Sequence, residues 1–434
     1  SHRIPYPPHN GAAIRTFNIL GLLARDFDVT GLCFDRPDKA LSGFPLSERL
    51  SALAPYGSFE SVPIPQGHSV ARLGWDHFRS IATGRPYTWY MHDVGAARER
   101  IRGLLIGTEG FDIVHVDSMD LVALLPELLR LPVVLTHHNV ESSLLRQRAQ
   151  RARNPASSTY LRFQSILLQR AEQRWLPTVA ANVAVSHADA AGFHQIAPGA
   201  RVEVVPNGVD TDYFHPATGP TAGCVFVGGT SWYPNLDGLE WFVAEILPRL
   251  RSRGMTDEVT WVGRATDAEL AHYNKIPGMR LTGYVPDIRP FVHAASCFIA
   301  PLRVGGGTRL KVLDAWAMGK AIVSTSQGAE GLRAVHGENA LIADTAEDFA
   351  DAVLRVLQNP VERQRLAVGA GDPEEGDLGS ARLTGFGAGR GVGGFVGEPT
   401  GTGIGVVPPG GTVGNGVGVN VSTGSPFFSM RGLP

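Results

Sequence analysis

The sequence predicts an α/β chain of two successive units, each a parallel sheet with crossover helices, facing one another across a cleft. Short apolar runs alternate with helical patterns along most of the chain, the mark of such sheets. The alternation pauses at Asp210–Gly223, rich in Pro, Gly and Thr, and then begins again. The 434 residues, 43% of them hydrophobic, suffice for two full cores.

In the first unit, strands are expected near Val29–Phe34, Asp112–Val116, Val133–Thr136 and Asn182–Ser186. Helices are expected near Ala12–Arg25, Met119–Arg130 and Glu141–Trp175, the last broken at Asn154-Pro155, because proline removes a helical donor. "VAVSHADAAGF" reads as a strand and then a helix capped by Ser186, with Asp189 at the capping-box position. In the second unit, strands are expected near Cys224–Val227, Val259–Val262, Arg280–Leu281, Ser296–Ala300, Ala321–Ser324 and Ala340–Ile342. Its helices are placed near Asn235–Arg253, Ala268–Asn274, Ile288–Ala295, Thr308–Met318 and Glu347–Leu357.

Composition excludes some functions. A formal net charge of −2 argues against nucleic-acid binding, which needs a basic excess. No apolar run is long enough to span a membrane. Cys33, Cys224 and Cys297 lie in or beside apolar runs without metal-ligand spacing, and read as reduced, buried thiols of a cytosolic protein. After about Val368 the character changes. Roughly a third of the residues from Gly369 to Pro434 are Gly, against a usual ~7%. A disordered tail and a frameshifted extension are both compatible with that bias.

The chemistry is expected beyond the C-terminal strand edges, in the cleft. "PLRVGGGTRLKVLDAWAMG" puts Gly305, Gly306 and Gly307 between a strand and a helix, with Thr308, Arg309 and Lys311 at its mouth. A helix N-terminus offers unpaired amides to anions, and glycines admit a phosphate close to the backbone. A diphosphate suits that arrangement, and Asp314, one turn further, suits ribose hydroxyls. A turn with two solvated cations is the plain alternative. Gly11 closes a second loop before a helix, where an ordinary helix-start glycine is equally compatible. His137 and His138 end an apolar strand in "VVLTHHNVES". "DIVHVDSMD", with His115, Asp117 and Ser118, reads as a satisfied polar strand end. Arg264 follows the strand "VTWVG", as a further ligand contact or a surface cation. The basic excess over Arg146–Arg174 is either a solvated face or a contact with an anionic membrane surface.

Taken in order, "RIPYPPHNGAAIRT", "THHNVES", "AVSHADAAGF", "VVPNGVDTDYFHP", "VFVGGTSWYPNLDGLEWF", "WVGR", "GYVPDI" and "PLRVGGGTRLKVLDAWAMGKAIVSTSQGAEGL" form a specific set. Through them the chain, over about Ser1–Ala367, resembles a GT-B glycosyltransferase of glycosyltransferase family 4. The likeness is to the bacterial sugar transferases found with exopolysaccharide systems. The resemblance implies two Rossmann-like domains, an acceptor-side one over 1–217 and a nucleotide-sugar-binding one over 218–368, with 369–434 as the tail. It implies a retaining transfer from a nucleotide-diphosphate sugar to a glycan or lipid-linked acceptor. It also implies no metal and no other cofactor, in the cytoplasm or at the inner membrane face.

By position, Gly306, Gly307, Thr308, Arg309 and Lys311 fall on the phosphate side, Asp314 near the ribose and Gly11 on the first-domain loop. His138 falls near the transferred sugar, and Arg264 is a further donor contact. The sequence departs from the family pattern where paired glutamates stand eight positions apart. Here the earlier position is Gly306 and the later an aspartate. The chain opens after most of the expected first strand, and the tail stands where returning helices are expected. Lower stability and activity than in a complete member are expected from this. A nucleotide-sugar epimerase of the same fold and an inactive nucleotide-binding remnant stay open as alternatives.

Overall fold

The computed structural model describes residues 1–8, 10–36, 43–65, 69–106, 110–152 and 154–368. The glycine-rich tail, Gly369–Pro434, lies outside the described residues.

Three parallel sheets organise the chain. β1 (Thr30–Asp35) pairs with β2 (Ser58–Pro63). β3 (Val114–Val116), β4 (Val133–Thr136), β5 (Ala181–Ala184) and β6 (Val202–Val204) form a second sheet in that order. The third contains β7 (Cys224–Val227), β8 (Val259–Val262), β9 (Met279–Leu281), β10 (Cys297–Ala300), β11 (Ala321–Ser324) and β12 (Leu341–Ile342). Its spatial order is β12-β11-β10-β7-β8-β9, so the winding reverses between β7 and β10. Open sheets hold their ligands at such a reversal, beyond the strand ends.

The first-half helices are α1 (Gly11–Leu23), α2 (Leu46–Ser51), α3 (Val70–Thr83), α4 (Tyr87–His92), α5 (Gly95–Ile106), α6 (Leu125–Leu128), α7 (Glu141–Arg151), α8 (Pro155–Trp175) and α9 (His187–Ile196). The second half adds α10 (Tyr233–Trp241), α11 (Leu247–Ser252), α12 (Asp267–Tyr273), α13 (Arg289–Ala294), α14 (Leu310–Ala317), α15 (Ala346–Gln358) and α16 (Pro360–Val368).

The large sheet is covered on both faces. Phe226, Trp261, Ile299 and Val323 enter one core, while Val225, Val262, Phe298 and Ile322 enter the other. That double burial explains why its strands read as continuous apolar runs. Cys33, Cys224 and Cys297 are buried and unpaired.

Local chemistry sets the breaks. The expected helix over Glu141–Trp175 divides where anticipated: Asn154 accepts from the Ala156 amide at 2.9 Å and Pro155 starts α8. The expected single helix Met119–Arg130 is instead a 3₁₀ segment, Met119–Leu124, followed by the one turn of α6, because Pro126 restarts the helix. The long helix expected over Asn235–Arg253 carries a π segment, Phe242–Ile246, before Pro248 near the start of α11. Proline cannot donate to the preceding turn, and the wider turn absorbs the mismatch. At the other end of the chain, the Phe34 amide donates to the Ser1 carbonyl at 3.0 Å. The His2 amide donates to Asp117 Oδ1 at 2.8 Å, so the opening residues link β1 to the end of β3.

Candidate functional site

At the reversal of the large sheet, β7 is followed by Gly228 and Gly229, and β10 leads through Pro301 into the glycine loop and α14. Gly228 leaves space that a side chain would fill. A Cβ there would come within 2.6 Å of both Lys311 Nζ and Asn235 Nδ2. Lys311 reaches this point from the first turn of α14, donating to Asn235 Oδ1 at 2.7 Å and lying 4.2 Å from the Phe226 ring centre. Asn235 in turn donates to the Gly229 carbonyl at 2.9 Å. Burial and the nearby Arg309 charge push the Lys311 ammonium down to about 7, against a weaker pull from Asp314. Burial pushes the Asp314 carboxyl up to about 8, and Lys311 opposes it. Both side chains are half-buried rather than sealed.

The glycine loop is built against the first half of the chain. Gly307 has φ +68°, and a Cβ there would meet the His138 carbonyl oxygen at 2.2 Å, so only glycine fits. The Gly306 α-carbon faces Asn139. Thr308 donates to the Val185 carbonyl at 3.1 Å, and the Gly305 amide donates to Gln147 Oε1 at 3.0 Å. The ends of β4 and β5 and the helix α7 thus hold the loop from the opposite side. Gly11, at the start of α1, completes the ring: its Cβ position lies 3.6 Å from Leu310.

Arg309 differs from the expectation of a cation at an open mouth. Its side chain is 8% exposed and turns back on the loop, donating to the Gly306 and Gly307 carbonyls and to the Gln327 carbonyl at 3.0 Å. Glu330 lies 3.8 Å from it. Its geometry is that of a brace holding the loop's shape. Arg264 sits one strand away, its carbonyl accepting from the Thr230 amide at 2.9 Å and its guanidinium 4.3 Å from the Tyr284 ring centre.

On the first-half side, His138 is half-buried, and its Nε2 is a buried nitrogen without a hydrogen-bond partner among the described residues. Burial first, then the neighbouring charge of His2, pushes its pKa to about 3, so the ring is neutral. It lies 5.7 Å from the His2 ring, which is fixed by Asp117. Asp117 also accepts from the Ser1 hydroxyl at 2.5 Å and the Thr16 hydroxyl at 3.4 Å. The polar strand end expected to be merely satisfied is therefore also a hub that positions the segment beside His138. His137 points away: it is buried, donates to Asn182 Oδ1 at 3.1 Å and packs on Phe193. It is a core residue.

The loop also borders a cavity of about 340 Å³, lined among others by Ser142, Gln147, Asp189, Gly305, Gly306 and Glu330. Burial raises the pKa of Asp189 and of Glu330. So the structure brings Gly11, His138, Gly306, Gly307, Thr308, Arg309 and Lys311 together, with Asp314 one turn on and Arg264 at the neighbouring strand end. Sequence reading missed Asn139, Gln147 and Glu330 as neighbours of this loop. Asn235, taken as a helix-start residue, holds Lys311. For Asn139 and Asn235 a polar residue at a strand end or helix start was the available signal, and it is a common one; Gln147, inside α7, and Glu330, in a loop, carried none.

The description "Glycosyltransferase Family 4" matches residues 9–213, and "Glycosyl transferases group 1" matches residues 221–359. An uncharacterised 44.6 kDa protein of the cps region of Klebsiella pneumoniae is 27% identical over 154 residues, which span 34% of this chain and 40% of that relative's length. Sucrose-phosphate synthase from Thermosynechococcus elongatus has a similar structure, with a TM-score of 0.60 and 15% identity over 83% of this chain and 88% of its own. Anabaena HepE, solved in complex with UDP, has a TM-score of 0.54 and 15% identity over 83% of this chain and 90% of its own. A trehalose-6-phosphate synthase, studied for glycosyl transfer with retention, has a TM-score of 0.54 and 14% identity over 83% and 92%. At such identities the likeness is one of fold.

Proposed function

We propose that this chain, which belongs to glycosyltransferase family 4 and has the GT-B fold, moves a sugar from a nucleotide-diphosphate donor to a glycan or lipid-linked acceptor, with retention. The observation that carries the reading is the glycine loop. Its backbone, at the mouth of α14 beside Lys311, is clamped against His138–Asn139 of the opposite half. A helix N-terminus and an ammonium brought together there suit a departing diphosphate, whose charge grows as the glycosidic bond breaks. Asp314 is assigned to the ribose, and Arg264 is a further donor contact from the adjacent strand end. The free Nε2 of His138 is assigned to a hydroxyl of the transferred sugar. A neutral imidazole suits that bond and does not repel an oxocarbenium-like centre.

No metal enters this reading: the N-terminus of α14 and Lys311 take the part a divalent cation would play at the diphosphate. Arg309 shapes the loop. The HepE structure with UDP makes uridine nucleotides the first donors to test. The cps-region relative is the support for a place in cell-surface polysaccharide synthesis. Among the described residues no helix is long and apolar enough to cross a membrane.

The test is a transfer assay with a panel of uridine, adenine, guanine and thymidine diphosphate sugars and lipid-linked or oligosaccharide acceptors. The product's anomeric configuration is read by NMR. A glycoside of unchanged anomeric configuration supports the reading. An inverted product refutes retention. Release of a free, altered sugar would instead favour an epimerase. Binding without any turnover would favour the inactive remnant, for which Gly306 in the carboxylate position is the motive.

A further inference from the structure

Helix α3 is turned inside out. Asp76 and Ser80 on it are fully buried, whereas Val70 is 87%, Trp75 55%, Phe78 58% and Ile81 57% exposed. Its polar side is inward and satisfied. Asp76 accepts from Arg72 Nε at 2.9 Å and from Arg79 at 3.4 Å. Ser80 donates to the Arg85 carbonyl at 2.7 Å and accepts from Gln164 of α8 at 2.8 Å. The His77 ring stacks on Tyr87 at 4.1 Å and bonds the Tyr160 hydroxyl. Rotating the helix to bury its apolar side would break the Ser80 bonds to Gln164 and Arg85 and pull His77 from Tyr87 and Tyr160. The orientation is therefore specified by the sequence.

Isolated exposed apolar residues are ordinary. Four on one helical surface, with Trp75 and Phe78 stacked at 5.4 Å, are not. The helix is also well ended: Ser69 caps its start, and Gly84, at φ 65°, closes it. We propose that α3 docks on an anionic lipid surface, lying in the interface with Val70, Trp75, Phe78 and Ile81 inserted. Charge selects this occupant. Arg72, Arg79 and Arg85 stand against one carboxylate, Asp76, which pairs with the first two, so α3 and its C-terminal flank keep a net positive charge. A convex stripe with aromatic residues and cations at its edge matches an interfacial helix. At 14 residues, α3 is about 21 Å long and too short to cross the ~30 Å hydrocarbon layer. This face differs from the Arg146–Arg174 stretch: on α8, Tyr160 and Gln164 meet α3, while Arg162, Arg170 and Arg174 are exposed.

The experiment is co-sedimentation of the full chain with phosphatidylcholine vesicles, with and without phosphatidylglycerol. Brominated acyl chains report insertion through tryptophan quenching. The wild type is expected to bind vesicles containing phosphatidylglycerol. A Trp75→Ser/Phe78→Ser variant is expected to bind at least roughly tenfold more weakly, with an unchanged melting midpoint, since the side chains it removes are largely exposed. Arg85→Glu, which leaves the apolar stripe intact, is expected to weaken binding only where phosphatidylglycerol is present. No vesicle binding by the wild type, or equal binding by the double variant, overturns the proposal. So does a concentration-dependent dimer that the double variant abolishes, which would make the stripe a protein interface. Nucleotide binding, measured on the same variants, is expected to be unchanged, so failure here leaves the transfer reading standing.

Discussion

Binding of a nucleoside diphosphate should take up a proton at Lys311. In the free protein, burial and Arg309 hold this ammonium near 7 instead of the usual 10.5. A diphosphate beside it favours the charged form and lifts the pKa back toward its ordinary value. Below pH 7 the lysine is already charged and affinity is flat. Above it, the dissociation constant rises about tenfold per pH unit until the pKa of the complex is reached. From pH 7 to pH 9 the weakening is about fiftyfold, or about 2.3 kcal/mol. Asp314, pushed up to about 8, titrates in the same window, so the midpoint seen belongs to the pair. Asp314→Asn is expected to leave a single transition. Lys311→Met is expected to bind weakly with a flat profile. Isothermal titration calorimetry at pH 8, in buffers of different ionisation enthalpy, should report about 0.9 proton taken up per nucleotide. Zero uptake at that pH, or the same uptake in Lys311→Met, would refute the assignment of Lys311 to the phosphates.

Gly307→Ala is expected to lower the melting midpoint and abolish nucleotide binding, since its Cβ would meet the His138 carbonyl at 2.2 Å and φ is +68°. Gly199→Ala, with open space around it, is the control and should be near neutral. His138→Asn should keep nucleotide affinity while transfer falls at least roughly tenfold; unchanged turnover would remove His138 from the site. Glu172, 1% exposed and held by the Ser142 amide at 3.1 Å, is raised by burial to about 7 from 4.5. Its stabilising contribution is thus complete below about pH 4.5 and lost as pH rises through 7, so Glu172→Gln should gain up to about 3 kcal/mol at pH 8 and little at pH 4.5 in urea unfolding. A loss at pH 8 would contradict this. Gly306→Glu should lower transfer rather than restore it, as its Cβ would lie 3.3 Å from Asn139; a gain would show that the site lacks only the carboxylate.

What could be read from the sequence follows from what each segment buries. Cys224–Val227, Val259–Val262 and Ala321–Ser324 lie where expected, because strands covered on both faces leave unbroken apolar runs. β2, "SFESVP", and β6, "VEV", escaped notice because they are half-exposed and carry a charge. α3 was not read either, and its outward apolar face could not have been, because the helical period tells which residues share a face and not where that face points. The place of the glycine loop between β10 and α14 was legible, since three glycines between an apolar run and a helical pattern mark a strand-to-helix turn. Where each cation points was not, because a side chain's direction is fixed by tertiary contacts. Arg309 and Lys311 are two residues apart, yet one braces the loop and the other reaches the end of β7.

The glycine at 306 is where sequence and structure argue most closely. Read alone, it is a missing carboxylate. In the structure, the space above Gly306 is closed by Asn139, whose amide donates to Glu141 at 3.1 Å, and the neighbouring Gly307 lies flush on the His138 carbonyl. The loop therefore approaches the opposite half more closely than a side chain at 306 would allow without a shift. A carboxylate is present nonetheless: Glu330 borders the same cavity as Gly305 and Gly306 and is drawn toward the loop by Arg309. Glycine at 306 and close contact with the opposite half go together, and the acids that border this loop come from other segments, Glu330 from the same half and Asp189 from the opposite one.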